Sequence, residues 1–512
     1  MLVSRAEMLA LENAVFAAGS TAQSLMESVG RQMARGLIRE YHDPREIAAL
    51  IYVGRGHNGG DALVVACALR EAGARVTLRL AHPADNLATL TARMLARVPH
   101  EVPREFIDPE GVPAGPREHV DLVIDGLLGL NATGPLRPAE RAACRELNNL
   151  RRSRVAARVV ALDLPSGLDA DTGVSDADAV RSDLTLSVGF TKRGLVADNA
   201  TNLVGRLNVI RMAEFERAAV KLGISDADHD RAADPAALAP LLPPREFNSH
   251  KGMFGRVGIF AGSEGFTGAA VLASLGALRG GAGLVTLFVR RGIHAIVAAS
   301  APPEAMVTPI DNPRDLLAWK VDVLALGPGL GRADAEEVCE LVKMFPGPAV
   351  VDADALNLVA AHSDPAGLLD SEAGPRLLTP HPGEMERLLP FAREHSRAET
   401  ARKFIELHPR TTLLLKGART IVARRGSPLS YNTTGTPGMA TGGMGDVLTG
   451  TCAALIGQGL APYDAGQLGA WLCGRAAELA VAHESSGPAL LPSDVVANLG
   501  GAFRELARRD AH

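Results

Sequence analysis

The strongest constraint on this fold is a series of short apolar runs that are rich in Val, Ile and Leu and lack polar–apolar alternation. "IAALIYVG" (47–54) and "ARVVALDLPSG" (157–167) occur in the first half, and "GRVGIFAGS" (255–263) and "VDVLALGPG" (321–329) in the second. Strands buried on both faces of a parallel sheet have this composition. Helical stretches such as "DALVVACALREAG" (61–73) lie between several of them. This order of elements predicts an α/β fold.

The length of the chain and one change of composition predict two domains. A chain of 512 residues exceeds the size of one ordinary domain. Residues 221–248 are dominated by Asp, Ala and Pro and have no hydrophobic periodicity, which predicts a linker and a lead-in. We therefore expect a Rossmann-like three-layer domain over 1–220, and a second α/β domain over 249–512.

Composition excludes several classes of partner. The net charge of −5, the pI near 6.3 and the 4% of aromatic residues argue against binding of nucleic acid. No apolar run is long enough to span a bilayer, so no membrane partner is expected. The five cysteines form no CxxC pair, as is typical of reduced core residues. We expect a cytoplasmic protein.

A glycine-rich loop in the second half precedes a single carboxylate. "TPGMATGGMGDVLTG" (436–450) places Asp446 after three glycines and at the start of an apparent helix. Converging backbone N–H groups and the helix dipole would attract a phosphoryl group there. Asp446 could then accept a proton from an attacking hydroxyl. An N-cap role explains the same string, and the string by itself leaves both interpretations open.

Further polar residues of the second half follow predicted strands. Lys416 and Gly417 end one strand, "TPHPGE" (379–384) carries His381 and Glu384, and "VVDADALN" (350–357) carries Asp352 and Asp354. The string "LGPGLG" (326–331) is a glycine turn that permits close approach of the backbone. Because ligands bind at the carboxyl edge of an open α/β sheet, these residues are candidates for a binding site.

In this order, the strings resemble the ADP-dependent NAD(P)H-hydrate dehydratase family, which has a ribokinase-like fold. The resemblance runs from residues 249–286 to Asp446 and beyond; Met444 departs from the small polar residue common in relatives. The resemblance implies Asp446 as the catalytic base and ADP with Mg²⁺ as the cosubstrate. It also implies an adenine-nucleotide site at Lys416, Gly417, Ala418, Arg419, Thr420 and Gly445, and a hydrate site at Ala269, Gly329, His381 and Asp446.

Three strand ends of the first half supply oxygen-bearing side chains. Asn58 lies in "GRGHNGGD" (54–61), Asp125 in "VIDGLLGLNATG" (123–134), and Asp163 and Ser166 in "ALDLPSGLDADTG" (161–173). Oxygen-only ligands suit a hard cation better than zinc, whereas Asn, Asp, Gly and Ser are also the ordinary residues of turns. A dehydrogenase is disfavoured, because no acidic residue for a ribose follows at the next strand end.

These strings, preceded by "LMESVG" (25–30), resemble the NAD(P)H-hydrate epimerase family; His57 and Ala62 depart from its commoner Asn and Gly. The resemblance implies a K⁺ site formed by Asn58, Asp125 and Ser166, and we expect Asp163 to act as a catalytic acid–base. It also implies a hydrate site formed by Gly54, Arg55, Gly56, His57, Asn58, Gly129, Leu130, Asn131, Ala132, Thr133, Gly134, Pro135 and Asp163.

Together the halves resemble the bifunctional NAD(P)H-hydrate repair enzymes, in which one domain makes the epimer that the other consumes. The resemblance implies small-molecule substrates, NADHX or NADPHX and ADP, and a homo-oligomer is expected. Two alternatives are an alcohol kinase of ribokinase-like fold, and an N-terminal domain that only binds a ligand or a partner.

Overall fold

The computed structural model describes residues 1–39, 43–108, 120–152, 157–483 and 486–508. The chain forms two compact units, Met1–His229 and Asp230–His512. Both units are built on parallel sheets with intervening helices, which confirms the predicted α/β class. None of the helices in the described ranges combines the length and the apolar character needed to cross a bilayer.

The segment predicted as a linker, 221–248, does not stay outside the two units. Residues up to 229 belong to the first unit. Strand Arg231–Ala233 pairs in parallel with strand Ser430–Asn432 of the second sheet, and a short helix, Pro235–Leu238, follows. The backbone hydrogen bonds of an edge strand therefore give regular structure to a stretch that shows no periodicity, because three residues are too few to reveal one.

The first unit contains nine strands and seven α-helices in its described part. The strands are β1 (Leu2–Val3), β2 (Ala48–Val53), β3 (Arg75–Leu80), β4 (Arg104–Phe106), β5 (Leu122–Gly126), β6 (Arg158–Leu162), β7 (Leu184–Val188), β8 (Thr191–Lys192) and β9 (Arg206–Ile210). The helices are α1 (Arg5–Ala17), α2 (Ala22–Ile38), α3 (His57–Glu71), α4 (Thr89–Arg97), α5 (Pro138–Arg152), α6 (Thr201–Val204) and α7 (Ala213–Lys221).

Seven strands of this unit form one parallel sheet in the order β4-β3-β2-β5-β6-β7-β9, and β1 pairs with β8 separately. Leu50 and Tyr52 of β2 pack with Cys144 and Leu147 of α5. The alternate residues of β2, which point to the opposite face, are buried as well. The sheet is thus covered on both sides, and this burial explains why its strands lack alternation in the sequence.

The second unit contains ten strands and eleven α-helices in its described part. The strands are β10 (Arg231–Ala233), β11 (Arg256–Phe260), β12 (Leu284–Arg290), β13 (Ala305–Ile310), β14 (Val323–Leu326), β15 (Ala349–Val351), β16 (Arg376–Leu378), β17 (Thr411–Leu415), β18 (Ile421–Ala423) and β19 (Ser430–Asn432). The helices are α8 (Pro235–Leu238), α9 (Thr267–Arg279), α10 (His294–Ser300), α11 (Ala335–Met344), α12 (Ala353–Ala361), α13 (Pro365–Leu369), α14 (Pro382–Leu388), α15 (Arg397–Leu407), α16 (Met444–Gly457), α17 (Pro462–His483) and α18 (Pro492–Arg508).

These strands form one sheet in the order β10-β19-β18-β17-β16-β15-β14-β11-β12-β13. Only the β17–β18 and β18–β19 pairs within it are antiparallel. The strand order reverses direction at β11 and β14, which are neighbours although distant in sequence. Such a switch point opens a crevice at the carboxyl ends of the strands, and the turns after β11 and β14 both lie there.

Helices α9 and α16 cross with almost no space between their backbones. A Cβ atom on Gly450 would lie 1.9 Å from the carbonyl oxygen of Ala273, and one on Gly276 would lie 2.3 Å from that of Val447. Only glycine permits this approach. The crossing fixes the start of α16, and with it the position of Asp446.

We expect Gly450→Ala to lower the stability of the second unit by about 1–3 kcal/mol, because the added methyl group must push the two helices apart. Gly500→Ala is the matched control, since a Cβ at Gly500 in α18 meets nothing within 4 Å and alanine is the better helix former. Both tryptophans, Trp319 and Trp471, lie in this unit, so urea unfolding followed by tryptophan fluorescence reports on it. Equal stability of the two variants would contradict this account of the crossing.

Candidate active sites

A cavity of about 540 Å³ lies beyond the carboxyl ends of β2, β5 and β6 in the first unit. The loops after these strands provide much of its lining. Of the residues expected at the hydrate site, these line the cavity: Arg55, Gly56, His57, Asn58, Gly129, Leu130, Asn131, Ala132, Thr133, Gly134, Pro135 and Asp163.

Gly54 does not line the cavity. Its lack of a side chain instead lets neighbouring backbone segments approach each other closely. A Cβ on Gly54 would lie 1.8 Å from the carbonyl oxygen of Leu127, and one on Gly59 would lie 2.0 Å from that of Gly54. Ala62 is accommodated one turn later, because its methyl group occupies the space that a side chain on Gly126 would need. The departure at Ala62 therefore fills the core and leaves the loop unchanged.

Asn58, Asp125 and Ser166, the expected K⁺ ligands, belong to one hydrogen-bonded network. Ser166 donates to both carboxylate oxygens of Asp125, through Oγ at 2.7 Å and through its backbone N–H at 2.8 Å. The Leu128 N–H donates to Ser166 Oγ at 2.9 Å, and the Leu128 carbonyl accepts from Asn58 Nδ2 at 2.8 Å. The fold thus brings together residues that lie over 100 positions apart in sequence.

The chemistry of this network fits a potassium ion. Its side-chain donors are oxygens with a single carboxylate, the set that a hard cation prefers. Asp125 is fully buried, and burial raises its pKa to about 6 although Ser166 and Leu127 donate hydrogen bonds to it. No cationic side chain pairs with Asp125 among the described residues, so a bound monovalent cation would compensate its charge.

Asp163 is held in a strained backbone conformation beside a buried lysine. Its φ angle is 65°, in the left-handed region that few non-glycine residues adopt. Its N–H donates to the Leu186 carbonyl at 2.9 Å. Lys192, whose side chain is 1% exposed, forms an ion pair with Asp163 Oδ1 and donates to the Val188 carbonyl at 2.9 Å. This ion pair fixes the direction of the Asp163 side chain, which lines the cavity.

Two residues that line this cavity, Lys192 and Glu12, were not among the site residues predicted from the sequence. Lys192 follows the β7 strand in "GFTKRG", and Glu12 lies on α1. Both lie outside the glycine-rich strings on which the sequence analysis depends. A charged residue just after a buried strand, as Lys192 is, was the available signal.

In the second unit, Lys416 is the centre of a cluster of acids at the carboxyl ends of β15, β16 and β17. Its Nζ lies 2.8 Å from Asp352 Oδ1 and 3.8 Å from Glu384 Oε2. Burial lowers the pKa of Lys416, but the charges of Asp352 and Glu384 outweigh it, so the pKa is raised overall. Thr449 of α16 donates to Asp352 Oδ2 at 2.7 Å. This hydroxyl, which the sequence analysis missed, ties α16 to the cluster.

Asp446 faces this cluster from the first turn of α16. A Cβ on the neighbouring Gly445 would lie 3.4 Å from Lys416 Nζ, so the glycine leaves room beside the ammonium group. Burial and the nearby charge of Asp352 raise the pKa of Asp446 to about 7, with Lys416 acting in the opposite direction. The N-cap of α16 is Gly443 rather than Asp446, which rules out the N-cap interpretation. A carboxyl group with such a pKa is suited to proton transfer near neutral pH.

His381 caps helix α14. Its Nδ1 accepts hydrogen bonds from the N–H groups of Gly383 at 3.0 Å and Glu384 at 3.3 Å. The rest of the ring is exposed and available to a ligand. Glu384 in return accepts from the His381 N–H at 2.8 Å, so the cap also positions the Glu384 carboxylate near Lys416.

The loop that is expected to bind the nucleotide, residues 416–420, exposes mainly backbone atoms and no long side chain beyond Lys416. Gly417 and Ala418 are exposed, whereas the side chains of Arg419 and Thr420 are buried. Arg397 donates to the carbonyls of Lys416 at 3.4 Å and Arg419 at 2.8 Å. A Cβ on Gly417 would lie 1.9 Å from the Arg397 guanidinium, so a side chain there would have to displace the end of Arg397, which holds this loop. Arg419 and Thr420 can therefore shape the loop but can offer a ligand mainly their backbone.

Ala269 and Gly329 meet at the switch point of the sheet. Gly329 has a φ angle of 59°, and a Cβ there would lie 2.9 Å from both the Ala269 methyl group and the Phe266 carbonyl. Asp354 accepts a hydrogen bond from the Gly331 N–H at 2.8 Å, so it holds this glycine turn. Asp352 and Asp354, although two residues apart, thus serve different loops.

Comparison with known proteins agrees with the division of the chain. A family model described as NAD(P)H-hydrate dehydratase matches residues 257–499, and one described as YjeF-related protein N-terminus matches residues 22–194. The bifunctional NAD(P)H-hydrate repair enzyme of Moorella thermoacetica is 37% identical over 507 residues, which cover 94% of this chain and 92% of that protein. The chain belongs to the family of bifunctional NAD(P)H-hydrate repair enzymes.

The enzyme of this family from Escherichia coli is 34% identical over 476 residues, which cover 91% of this chain and 86% of that protein. Among solved structures, the ADP/ATP-dependent NAD(P)H-hydrate dehydratase of Bacillus subtilis, co-crystallised with ATP and Mg²⁺, is 29% identical with a TM-score of 0.48, and the match covers 53% of this chain and 97% of that one. Membership of the family confirms the resemblance found in the sequence.

The buried ion pair of the first unit gives a stability prediction. Lys192→Met leaves the Asp163 carboxylate without its partner in a confined site, and we expect a loss of about 3–5 kcal/mol. Arg193→Gln is the matched control, because Arg193 pairs with Glu7 at 3.0 Å on the exposed surface and should contribute less than about 1 kcal/mol.

Hydrogen exchange of peptides from residues 1–229 in graded urea would measure both losses, since neither tryptophan lies in this unit. A Lys192→Met variant as stable as Arg193→Gln would show that the ion pair contributes little.

Proposed function

We propose that the chain repairs hydrated NADH and NADPH in two steps. The first unit interconverts the R and S forms of the hydrate, and the second dehydrates the S form to NAD(P)H with ADP, releasing AMP and phosphate. Membership of the bifunctional family carries this proposal. The lysine-paired carboxylate in the cavity and the near-neutral pKa of Asp446 support it.

In the second unit, Asp446 removes the proton from the C6 hydroxyl of the S hydrate. The resulting oxygen attacks the β-phosphate of ADP, and AMP departs. Phosphate then leaves C6 as the ring nitrogen donates its electron pair, and loss of the C5 proton restores the double bond. Mg²⁺, when it accompanies ADP, spreads the charge of the phosphates. The Lys416 ammonium group and the N–H of Gly445 bind phosphate oxygens, and the backbone of 416–420 holds the nucleotide.

The hydrate lies against Ala269, Gly329 and His381 in this site. Two small residues at the switch point, one of them a glycine with a positive φ angle, leave a surface on which a flat ring can rest. His381 Nδ1 accepts from the helix and its Nε2 lies 3.4 Å from Glu384 Oε1, so the half-exposed ring is fixed in place beside the ligand. Glu384 and Asp352 hold the Lys416 ammonium group in place.

In the first unit, the hydrate binds the loops at 54–58 and 129–135, and Asp163 exchanges protons with groups at C6. Lys192 pairs with Asp163 and fixes the direction of its side chain. Asn58, Asp125 and Ser166 would hold K⁺, which would offset the buried charge of Asp125, and their hydrogen bonds stabilise the loop around Leu128. A cytoplasmic location and a homo-oligomeric state belong to the same proposal.

The direct test combines the substrates with three forms of the full chain. A mixture of R and S hydrates, with ADP, Mg²⁺ and K⁺, should return completely to reduced cofactor with the wild type. Asp163→Asn should stop when the S form is consumed. Asp446→Asn should lose dehydration by about 100-fold or more, since it lacks the general base, while chromatography still shows interconversion of the epimers.

Full dehydration by Asp446→Asn would remove it as the base, and undiminished interconversion by Asp163→Asn would remove that residue. A stable phosphorylated product formed from an alcohol with ATP, and no recovery of reduced cofactor, would indicate a kinase instead.

The pKa of Asp446, about 7, predicts the pH dependence of dehydration. The base acts in its ionised form, so kcat/KM should rise with pH through that value, by about tenfold between pH 6 and pH 8. Lys416 lowers this pKa, so Lys416→Met should move the midpoint upward. A profile that is flat from pH 6 to pH 8 in the wild type would contradict the role of Asp446.

A further inference from the structure

The cavity of the first unit contains a carboxyl group to which neither the fold nor the proposed mechanism gives a task. Asp61 lies on α3, one turn after the glycine loop, and lines the cavity together with Glu12, Asp163 and Lys192. No hydrogen-bond donor or cationic side chain contacts the Asp61 carboxyl group among the described residues. Asp61 is half-buried and faces the cavity, so a ligand bound there lies within reach of its carboxyl group.

Two carboxyl groups in this cavity have opposite electrostatic surroundings. Asp163 is paired with the Lys192 ammonium group. Burial raises the pKa of Asp61 well above its usual range, and the charges of Asp163 and Glu12 raise it further. Asp163 therefore has a cationic partner, whereas Asp61 has only acids near it and keeps its proton to higher pH than an ordinary aspartate. Enzymes that use one carboxyl as an acid and another as a base show this division.

Glu12 is the weaker candidate for the neutral acid. Burial and Asp163 raise its pKa, but the charge of Lys192 acts against them. The other charged groups that line the cavity are Arg55, His57, Arg137 and Glu140. Glu140 Oε1 already shares a hydrogen bond of 2.8 Å with His82 Nε2. None of these groups forms an ion pair or a hydrogen bond with Asp61 in the described structure.

We propose that Asp61 is a second catalytic residue of the epimerase, the acid that protonates the departing C6 hydroxyl group while Asp163 serves as the base. This inference rests on the proposed epimerase function and adds to it a residue and a direction of proton flow. In this proposal, C6 is inverted because water leaves from one face and adds to the other. Glycosidases likewise use two carboxyl groups on opposite sides of one carbon atom.

The C6–O bond breaks, the proton of Asp61 goes to the hydroxyl, and water leaves. The electron pair of the ring nitrogen forms a C6–N double bond, so that the ring becomes an iminium cation. A water molecule then adds to the other face of C6, its proton goes to Asp163, and the electron pair returns to nitrogen. Proton exchange with solvent restores both carboxyl groups, and the reverse sequence converts the epimers back.

The test measures initial rates of R-to-S conversion by chromatography, with the full chain, K⁺ and no ADP. Asp61→Asn should lower this rate by about 100-fold or more, the usual contribution of a general acid. Dehydration of the S form with ADP, carried out by the other unit, should stay within about twofold of wild type. Asp85→Asn is the matched control, since Asp85 is exposed and should leave both rates unchanged.

An Asp61→Asn variant that interconverts the epimers within threefold of wild type would overturn the role of Asp61. A wild-type chain that dehydrates but never interconverts the epimers would instead overturn the epimerase function itself. The two failures are thus distinguishable. If hydrogen exchange of peptides from 1–229 shows that Asp61→Asn is unfolded, Asp61→Ala with added formate replaces it, and at least a tenfold rise with formate is expected. No rise at saturating formate would count against the proposal.

A measurement on the wild type needs no variant. In H₂¹⁸O, each inversion should place one ¹⁸O atom at C6 of the product, which mass spectrometry would detect after rapid quenching. Inversion without incorporation of ¹⁸O would overturn the proposal, because the C6–O bond would not have broken.

Discussion

Close approach of backbone segments at the carboxyl ends of parallel strands is the constraint on which both units depend. In the first unit, Gly54 touches the carbonyl of Leu127; in the second, a Cβ on Gly327 would lie 1.8 Å from the carbonyl of Asp352. Each contact joins loops that follow different strands. Without side chains at these points, the loops can converge, and the polar residues beside them come within hydrogen-bonding distance. Both sites therefore form where glycine-rich loops meet at the carboxyl ends of the parallel strands.

The two units reach a similar electrostatic arrangement with different residues. A lysine pairs with one buried carboxylate in each, Lys192 with Asp163 and Lys416 with Asp352. A second carboxyl group stands nearby, Asp61 in the first unit and Asp446 in the second, and its pKa is raised. One cation cannot neutralise two or three acids, so the acid with the poorer partners stays protonated to higher pH. Proton transfer near neutral pH follows from this imbalance.

Three residues differ from those common in the family, and two of them lie where the backbone, not the side chain, shapes the site. Ala62 fills the space above Gly126, and Met444 packs against the core at the start of α16. His57 lines the cavity with an exposed ring, so it is the departure that a substrate would meet. The glycines at 54, 59 and 443 are retained where a Cβ would collide with neighbouring atoms.

The sequence by itself determined the α/β class, the two-part organisation and most of the polar residues at the strand ends, because buried strands and glycine turns have a local composition that can be read directly. It could not place Lys192, Glu12 or Thr449, since each reaches its site through contacts between segments far apart in the chain. It also could not show that residues 231–233 complete a sheet through a partner some 200 positions away. Only the tertiary structure decided which carboxyl groups have a raised pKa, as Asp61 and Asp446 do, because burial and neighbouring charge, not residue type, shift a pKa from its usual value.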